Sequence, residues 1–425
     1  MDVLEIRGGR PLEGTTRVYG AKNAALPILA ATVMTEGTCE LFEVPNLEDI
    51  HVMLDILRHL GAGVKRLGQT LYIDASHITK TDVPLHLMRK MRSSIFLMGP
   101  LLARFGEVTV SKPGGCVIGQ RPIDYHLRGM RLLGAVIQEQ HGTVNCVSNR
   151  LKGTSITLDF PSVGATENLI MAAVLADGET VLENVAREPE VVDLANFLKT
   201  CGAQIEGAGE DTIRIRGVHH LKGSTYRVIP DRIVTGTWMI AAAATQGSIH
   251  IEGCEPLHLG ALISKLRDAG TKIDIDGDQM WVRGPKQLKA AEIRTAPYPG
   301  FPTDLQAPMM ALMAAAHGST FIREDVFEAR FKHVGELIRM GADIRVDGRT
   351  SLIRGVEQLS GAEVEATDLR GGAALVVAGL LAEGTTKIHG LHHLDRGYQQ
   401  LDTYLRDLQA DIRRVESEEA GMSMP

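Results

Sequence analysis

Cysteine, aromatic side chains, unbroken apolar runs and positive charge are all scarce in this chain, and each scarcity removes a class of protein. Its five cysteines, Cys39, Cys116, Cys146, Cys201 and Cys254, show no paired spacing and no C-x-x-C. That argues against a disulfide framework and against a structural zinc site, so free thiols are expected. No window approaches about 18 uninterrupted apolar residues, and the start MDVLEIRGGRPLEG has no basic segment followed by an apolar one. Neither a membrane partner nor export is expected, and the location is read as the cytoplasm. Lys and Arg total 45 against 52 Asp and Glu, for a formal net charge of -7, and no basic stretch suits nucleic acid. An anionic ligand must therefore be held by local charge.

What is present is small and apolar. Hydrophobic residues make up 44% of 425 positions and charged residues 23%, the balance of a globular protein too long for one ordinary core. Two domains are expected. Six small-residue runs end in a glycine: LPILAATVMTEG at Gly37, IFLMGPLLARFG at Gly106, LIMAAVLADG at Gly178, WMIAAAATQG at Gly247, MMALMAAAHG at Gly318 and LVVAGLLAEG at Gly384, spaced 69, 72, 69, 71 and 66 residues apart. A glycine there fits the left-handed residue that closes a helix.

Each run leads into a short alternating stretch, then an amphipathic segment that reaches a second glycine, at Gly61, Gly134, Gly202, Gly270 and Gly341, with Gln409 in the sixth place. Two strands joined by a turn are predicted after each. One repeat is thus helix, strand, helix, strand, strand, with a further strand before its first helix. The first helix is apolar nearly all round and belongs inside; the second has a polar face and belongs outside. The fold class expected is α/β, as two inverted, barrel-like domains of three repeats each, with buried helices and outer sheets. Residues 21–229 form the first domain, carrying the Cys116 loop, and residues 1–20 with 230–425 the second. The opening segment supplies a strand missing from the second domain, and the two linkers permit hinge closure over a cleft.

Counting back 14 or 15 residues from each run-ending glycine reaches Lys22, Arg92, Gly164, Arg232, Asp304 and Arg370. These are the predicted helix starts, where each helix adds roughly half a positive elementary charge. Arg121, Arg330 and Arg396 lie 15, 12 and 12 residues beyond Gly106, Gly318 and Gly384. A guanidinium bond to phosphate or carboxylate contributes about 1.5–3 kcal/mol, so a few convergent ones hold a small polyanion. Some of these arginines equally fit as helix caps or partners of surface acids.

The segment KPGGCVIGQR is not a P-loop, because Gln120-Arg121 stands where Lys-Ser/Thr is required. No dinucleotide fingerprint and no H-E-x-x-H occurs, so no cofactor and no metal are expected. His126 reads as an ordinary structural residue. Cys39, Cys146, Cys201 and Cys254 read as small buried hydrophobes. Cys116 differs, lying in a glycine-rich turn that nothing obvious buries.

The segments YGAKNAALPILAA, MRSSIFLMGPLLARFG, KPGGCVIGQRPID, PSVGATENL, FPTDLQAPMMALM, EARFKHVGEL, ATDLRGGAALVVAGLL and LDRGYQQLDTYLRDL closely resemble the UDP-N-acetylglucosamine 1-carboxyvinyltransferase family of enolpyruvyl transferases, from about residue 3 to about 415. The resemblance implies transfer of the enolpyruvyl group of phosphoenolpyruvate to the 3-hydroxyl of UDP-N-acetylglucosamine with release of phosphate. This is the first committed step of peptidoglycan precursor synthesis. It implies Cys116 as the acid that protonates C3 and can add covalently to C2, on a loop that closes as a lid. Thiols ordinarily titrate near about 8.5, and nearby cations would bring this one toward working pH.

By motif position the resemblance also implies Lys22 at the phosphoenolpyruvate phosphate and Asn23 at the sugar. Arg121 and Arg396 close on phosphate and carboxylate. Arg121, Pro122, Ile123, Asp124 and Tyr125 hold uridine, and Ser162, Val163 and Gly164 the diphosphate. Arg92 contacts the nucleotide sugar, Arg370 lines the cleft, Asp304 is the base for the 3-hydroxyl, and Val326 lies near the sugar. Arg330 is either substrate-binding or structural. Gly371-Gly372 departs from the small polar residues that relatives often carry, which leaves that helix start open. Two rivals remain: the sister transferase acting on shikimate 3-phosphate, and a catalytically silent ligand-binding paralogue. Oligomeric state has no signature in the sequence.

Overall fold

The computed structural model describes residues 2–111 and 123–416. They divide into two compact units, one of residues 19–111 and 123–229, the other of residues 2–18 and 230–416.

In the first unit three larger sheets, with a two-stranded pair of Thr35–Glu36 and Leu221–Lys222, flank apolar helices. The helix Lys22–Ala31 has no polar residue after Asn23, and every residue except Asn23 is buried. It packs on Glu48–Leu60 and Pro189–Thr200, while Val163–Val174 packs on Met98–Phe105, Asp124–Leu132 and Pro189–Thr200. The sheets run Thr225–Arg227, Thr38–Phe42, Thr70–Asp74, Gly63–Leu67; then Glu107–Ser111, Thr143–Val147, Val136–Gln140; then Ser155–Thr157, Glu179–Glu183, Thr212–Arg216, Gln204–Glu206. In the second of these, an isolated bridge from Asp82 to Thr109 stands where a fourth strand would lie.

The second unit repeats the plan. Helices Arg232–Ala244, Gln306–Met313 and Leu369–Leu381 pack on one another, and after Arg232 the first is buried throughout. Strand burial alternates, as in the eBeBe pattern of Ser319–Arg323, so one face of that strand meets the core and the other solvent. The second helices are less external than expected. Pro189–Thr200 buries Val191, Leu194, Phe197 and Leu198 and also the acids Glu190 and Asp193.

The opening segment supplies two strands rather than one. Asp2–Arg7 pairs antiparallel between Thr385–His389 and Asp411–Glu416, with Leu4 opposite Ile388 and Arg414. Glu13–Arg17 pairs parallel with Ser248–Glu252. Glu13–Arg17 directly precedes the Lys22 helix in sequence, yet the strand that pairs parallel in that helix's own sheet is Thr225–Arg227.

The two sets of glycines part company. At the second set the same two hydrogen bonds recur: Gly61 N–H to Arg58 with Ala62 N–H to Leu57, through to Gln409 N–H to Arg406 with Ala410 N–H to Leu405. All six residues have positive φ, from 67° at Gln409 to 110° at Gly61, the left-handed closure of a helix. Of the first set only Gly106 is a helix cap. Gly37, Gly178, Gly318 and Gly384 have positive φ in the turn into the next strand. Gly247 does not; Gln246 takes the positive φ of 55°. Glycine at 247 answers a close approach instead, since a Cβ there would lie 2.4 Å from the Leu12 carbonyl oxygen.

Candidate active site

The six register positions do fall at helix starts. Lys22 and Arg232 open their α-helices, Gly164 and Arg370 are second in theirs, Arg92 opens a 3-10 turn, and Asp304 is second in the 3-10 turn Thr303–Leu305 that leads into Gln306–Met313. The N–H groups exposed there favour anions.

In the first unit the Lys22 ammonium is buried, 3.2 Å from an Asp49 carboxylate oxygen in the first turn of Glu48–Leu60. Asn23 follows it and is partly exposed. Ala21 donates its N–H to the Ile229 carbonyl at 2.7 Å, which anchors the helix start. Ser162 caps Val163–Val174 by accepting the Ala165 N–H, and Val163 and Gly164 form the first turn with partial exposure.

Ile123 precedes the helix Asp124–Leu132, whose Asp124 is exposed while Tyr125 packs on the core. That helix touches Val163–Val174, so the Ile123-Asp124-Tyr125 and Ser162-Val163-Gly164 segments lie on packed helices. Their join is His126. Its Nδ1 lies 3.0 Å from Asn168 Nδ2, which also donates to the Ile95 carbonyl, while Asn168 Oδ1 accepts the Gly99 N–H. The amide orientation follows from that N–H, and Nδ1 of His126 must accept. The structural reading of His126 fits. Cys116, Arg121 and Pro122 lie outside the described residues, and the Arg92 side chain is likewise not described.

In the second unit Asp304 stands between two buried guanidiniums. Arg330 donates to Oδ1, and Arg370 Nη2 donates to Oδ2 at 2.8 Å. Burial disfavours the Arg370 charge, but Asp304, Tyr398 and Asp231 outweigh it and hold its pKa above the ordinary value. Arg330 also faces the Phe327 ring at 5.4 Å. The helix start at Gly371-Gly372 is regular: Asp368 caps it, accepting the Arg370 and Gly371 N–H groups at 3.0 and 2.9 Å. A Cβ on Gly372 would lie 2.9 Å from Leu394 Cγ, so a larger side chain would crowd it.

Val326 is tied to the same cluster by a residue that sequence reasoning missed. Glu324 is fully buried; one oxygen accepts the Val326 and Phe327 N–H groups and the other accepts the Thr303 hydroxyl, next to Asp304. Asp49 and Tyr398 were missed as well. Asp49 and Glu324 sit in no quoted motif or repeat register, and Tyr398, though inside LDRGYQQLDTYLRDL, has no register position of its own; each becomes visible only through its partner. Arg396 lies in the turn between Leu391–Leu394 and Leu401–Asp407. Its charge, after burial and His392, helps hold His393 below the ordinary histidine range.

Among the described residues no group of His, Cys, Asp or Glu is arranged to hold a metal ion, and no helix is long and apolar enough to cross a membrane.

The sequence profile of the family described as EPSP synthase (3-phosphoshikimate 1-carboxyvinyltransferase) matches residues 6–405. UDP-N-acetylglucosamine 1-carboxyvinyltransferase 2 of Carboxydothermus hydrogenoformans is 54% identical over 417 residues, 98% of this chain and 100% of that protein. UDP-N-acetylglucosamine 1-carboxyvinyltransferase of Trichlorobacter lovleyi is 52% identical over 416 residues, 98% of this chain and 99% of that one. Among solved structures, the enolpyruvyl transferase NikO from Streptomyces tendae superposes with a TM-score of 0.89 at 28% identity, covering 97% of this chain and 98% of its own. EPSP synthase from Acinetobacter baumannii superposes with a TM-score of 0.75 at 20% identity, covering 98% and 100%, and speaks for the fold alone.

Proposed function

This chain belongs to the EPSP synthase family, among its UDP-N-acetylglucosamine 1-carboxyvinyltransferases, and we propose that it transfers the enolpyruvyl group of phosphoenolpyruvate to the 3-hydroxyl of UDP-N-acetylglucosamine. The observation that carries this reading is identity above half, from end to end, with relatives bearing that name. Peptidoglycan precursor synthesis follows from the reaction, and the bacterial cytoplasm is the location that its substrates suggest.

The chemistry assigns the groups. The double bond of phosphoenolpyruvate is electron-rich at C3, so C2 accepts an alcohol only as C3 takes a proton. Cys116 supplies that proton, Asp304 takes the proton of the sugar 3-hydroxyl, and the sugar oxygen bonds to C2. The tetrahedral adduct then loses a C3 proton and expels phosphate, restoring the double bond. Lys22, Arg121 and Arg396 stabilise the phosphate and carboxylate charge as it shifts. Asn23 and Val326 place the sugar, Ile123, Asp124 and Tyr125 with Pro122 hold uridine, and Ser162, Val163 and Gly164 hold the diphosphate at a helix start. Arg92 and Arg370 add positive charge along the substrate.

Arg330 is read here as both structural and functional, since its partner is the base itself. The domain assignment is part of the same proposal: residues 21–229 bring Lys22 and Cys116, residues 1–20 and 230–425 bring Asp304 and Arg396, and one reaction uses both.

The test is phosphate release from phosphoenolpyruvate, run with UDP-N-acetylglucosamine and, in parallel, with shikimate 3-phosphate. Release with the first alone is expected. Release with shikimate 3-phosphate would favour the sister activity, and release with neither, despite measurable ligand binding, would favour a silent paralogue.

A further inference from the structure

Tyr398 stands outside every role given above, yet it holds the centre of the second unit's charged cluster. It is 1% exposed, and its ring lies 6.5 Å from Trp238 and 5.6 Å beneath the Arg370 guanidinium carbon. Its hydroxyl makes two contacts, one to Thr237 Oγ1 at 2.9 Å and one from Arg370 Nη1 at 3.3 Å.

The polarity of this chain is fixed by counting protons. Thr237 lies in the interior of the helix Arg232–Ala244 and donates its only hydroxyl proton to the Ile233 carbonyl at 2.8 Å. Its oxygen can then only accept, so Tyr398 donates to Thr237 and its own oxygen faces Arg370 as an acceptor. Arg370 in turn donates Nη2 to Asp304. Donation thus runs outward from Arg370 in two directions, to Asp304 on one side and through Tyr398 and Thr237 to the backbone of a buried helix on the other. Acceptors are scarce along it, since Arg330 Nε is buried without one.

From this we infer that Tyr398 is a positioning residue: its hydroxyl locks the Arg370 guanidinium in the one rotation that presents Nη2 to Asp304, and so fixes the direction in which Asp304 meets the sugar hydroxyl. The inference rests on the reading of Asp304 as the base in the reaction proposed above. A phenylalanine would fill the same volume, so packing alone does not account for a buried hydroxyl whose acceptor side serves a single guanidinium.

The experiment compares Tyr398→Phe and Thr237→Val with the wild-type full chain, measuring kcat, the KM of each substrate, the Kd of UDP-N-acetylglucosamine by calorimetry, and the thermal midpoint. A lost bond to a charged group corresponds to a loss of roughly tenfold or more in kcat for Tyr398→Phe, with the Kd of UDP-N-acetylglucosamine unchanged. Thr237→Val lowers the same constant by less, because the tyrosine proton loses its acceptor while its oxygen stays near Arg370. Wild-type kcat in folded Tyr398→Phe, whatever its midpoint, overturns the inference, as does a fall confined to UDP-N-acetylglucosamine affinity. Should Tyr398→Phe fail to fold, wild-type kcat in Thr237→Val overturns it equally. Failure of the underlying reading is distinguishable, because then the wild-type chain itself releases no phosphate with UDP-N-acetylglucosamine.

Discussion

Thiol chemistry at the residue scale separates the cysteines. Cys39, Cys146, Cys201 and Cys254 are all buried and unpaired by disulfide, and burial pushes the thiols of Cys146 and Cys254 up to about 11. Cys39 is lowered to about 7, chiefly by a hydrogen bond from Cys201, but it is wholly inaccessible. Since the thiolate is the nucleophile and must also be reached, an epoxide phosphonate that mimics phosphoenolpyruvate is expected to alkylate Cys116 alone. Peptide mass mapping checks this, and label spread over the other four would contradict it.

The register positions were legible because charge at a helix start is a local property, as at Lys22 and Arg370. Asp49, Glu324 and Tyr398 were not, because a buried acid or hydroxyl declares itself only by a partner distant in sequence. Tyr398 meets Thr237 across 161 positions.

Among elements, the helix closures give a controlled comparison. Gly202 has φ of 108° and open space where a Cβ would go, while Gln409 carries a side chain in the matching place at φ of 67°. Left-handed backbone costs an L-residue about 1–2 kcal/mol. Gly202→Gln is therefore expected to destabilise by about 1 kcal/mol and Gln409→Gly to stabilise by somewhat less, the added freedom of the unfolded chain offsetting part of the gain. Denaturant melts of both variants check the signs. The second glycines were legible because positive φ leaves a residue-type signature. The opening segment is expected in the second domain, but neither its two strands nor the pairing of Thr225–Arg227 beside Thr38–Phe42 was legible, since nothing in a short alternating strand records which neighbour it pairs with.

The helix Pro189–Thr200 carries a second test. Burial pushes the Asp193 carboxyl up to about 7, with Glu190 adding to it, against the opposing hydrogen bonds from the Tyr226 hydroxyl and the Ile229 N–H. The unfolded chain releases that proton near its ordinary value of 3.8. Between these values the folded state binds more protons than the unfolded, so this carboxyl's contribution to stability falls as pH rises from about 4 to about 7 and then levels. Asp193→Asn removes the slope. Its thermal midpoint relative to wild type should improve steadily over that window; parallel curves would contradict the assignment.

For the whole molecule, the six-fold repetition was legible as spacing, and the sheet order of five of the six repeats follows one rule: a leading strand parallel to the next, then an antiparallel pair. What repetition could not reveal is how unlike the six helix starts became, with a paired lysine at one and a carboxylate held by two arginines at another. The proposed reaction draws on that divergence, with Lys22 as a cation at one start and Asp304 as the base at another. Addition followed by elimination makes C3 of phosphoenolpyruvate pass through a methyl group, whose hydrogens become equivalent before one departs. The most direct measurement is the reaction in heavy water with UDP-N-acetylglucosamine, followed by mass spectrometry of the enolpyruvyl product. Deuterium in the product's vinyl group is the predicted result; a product whose vinyl group retains only the hydrogens of the starting phosphoenolpyruvate would contradict protonation at C3 and the account built on it.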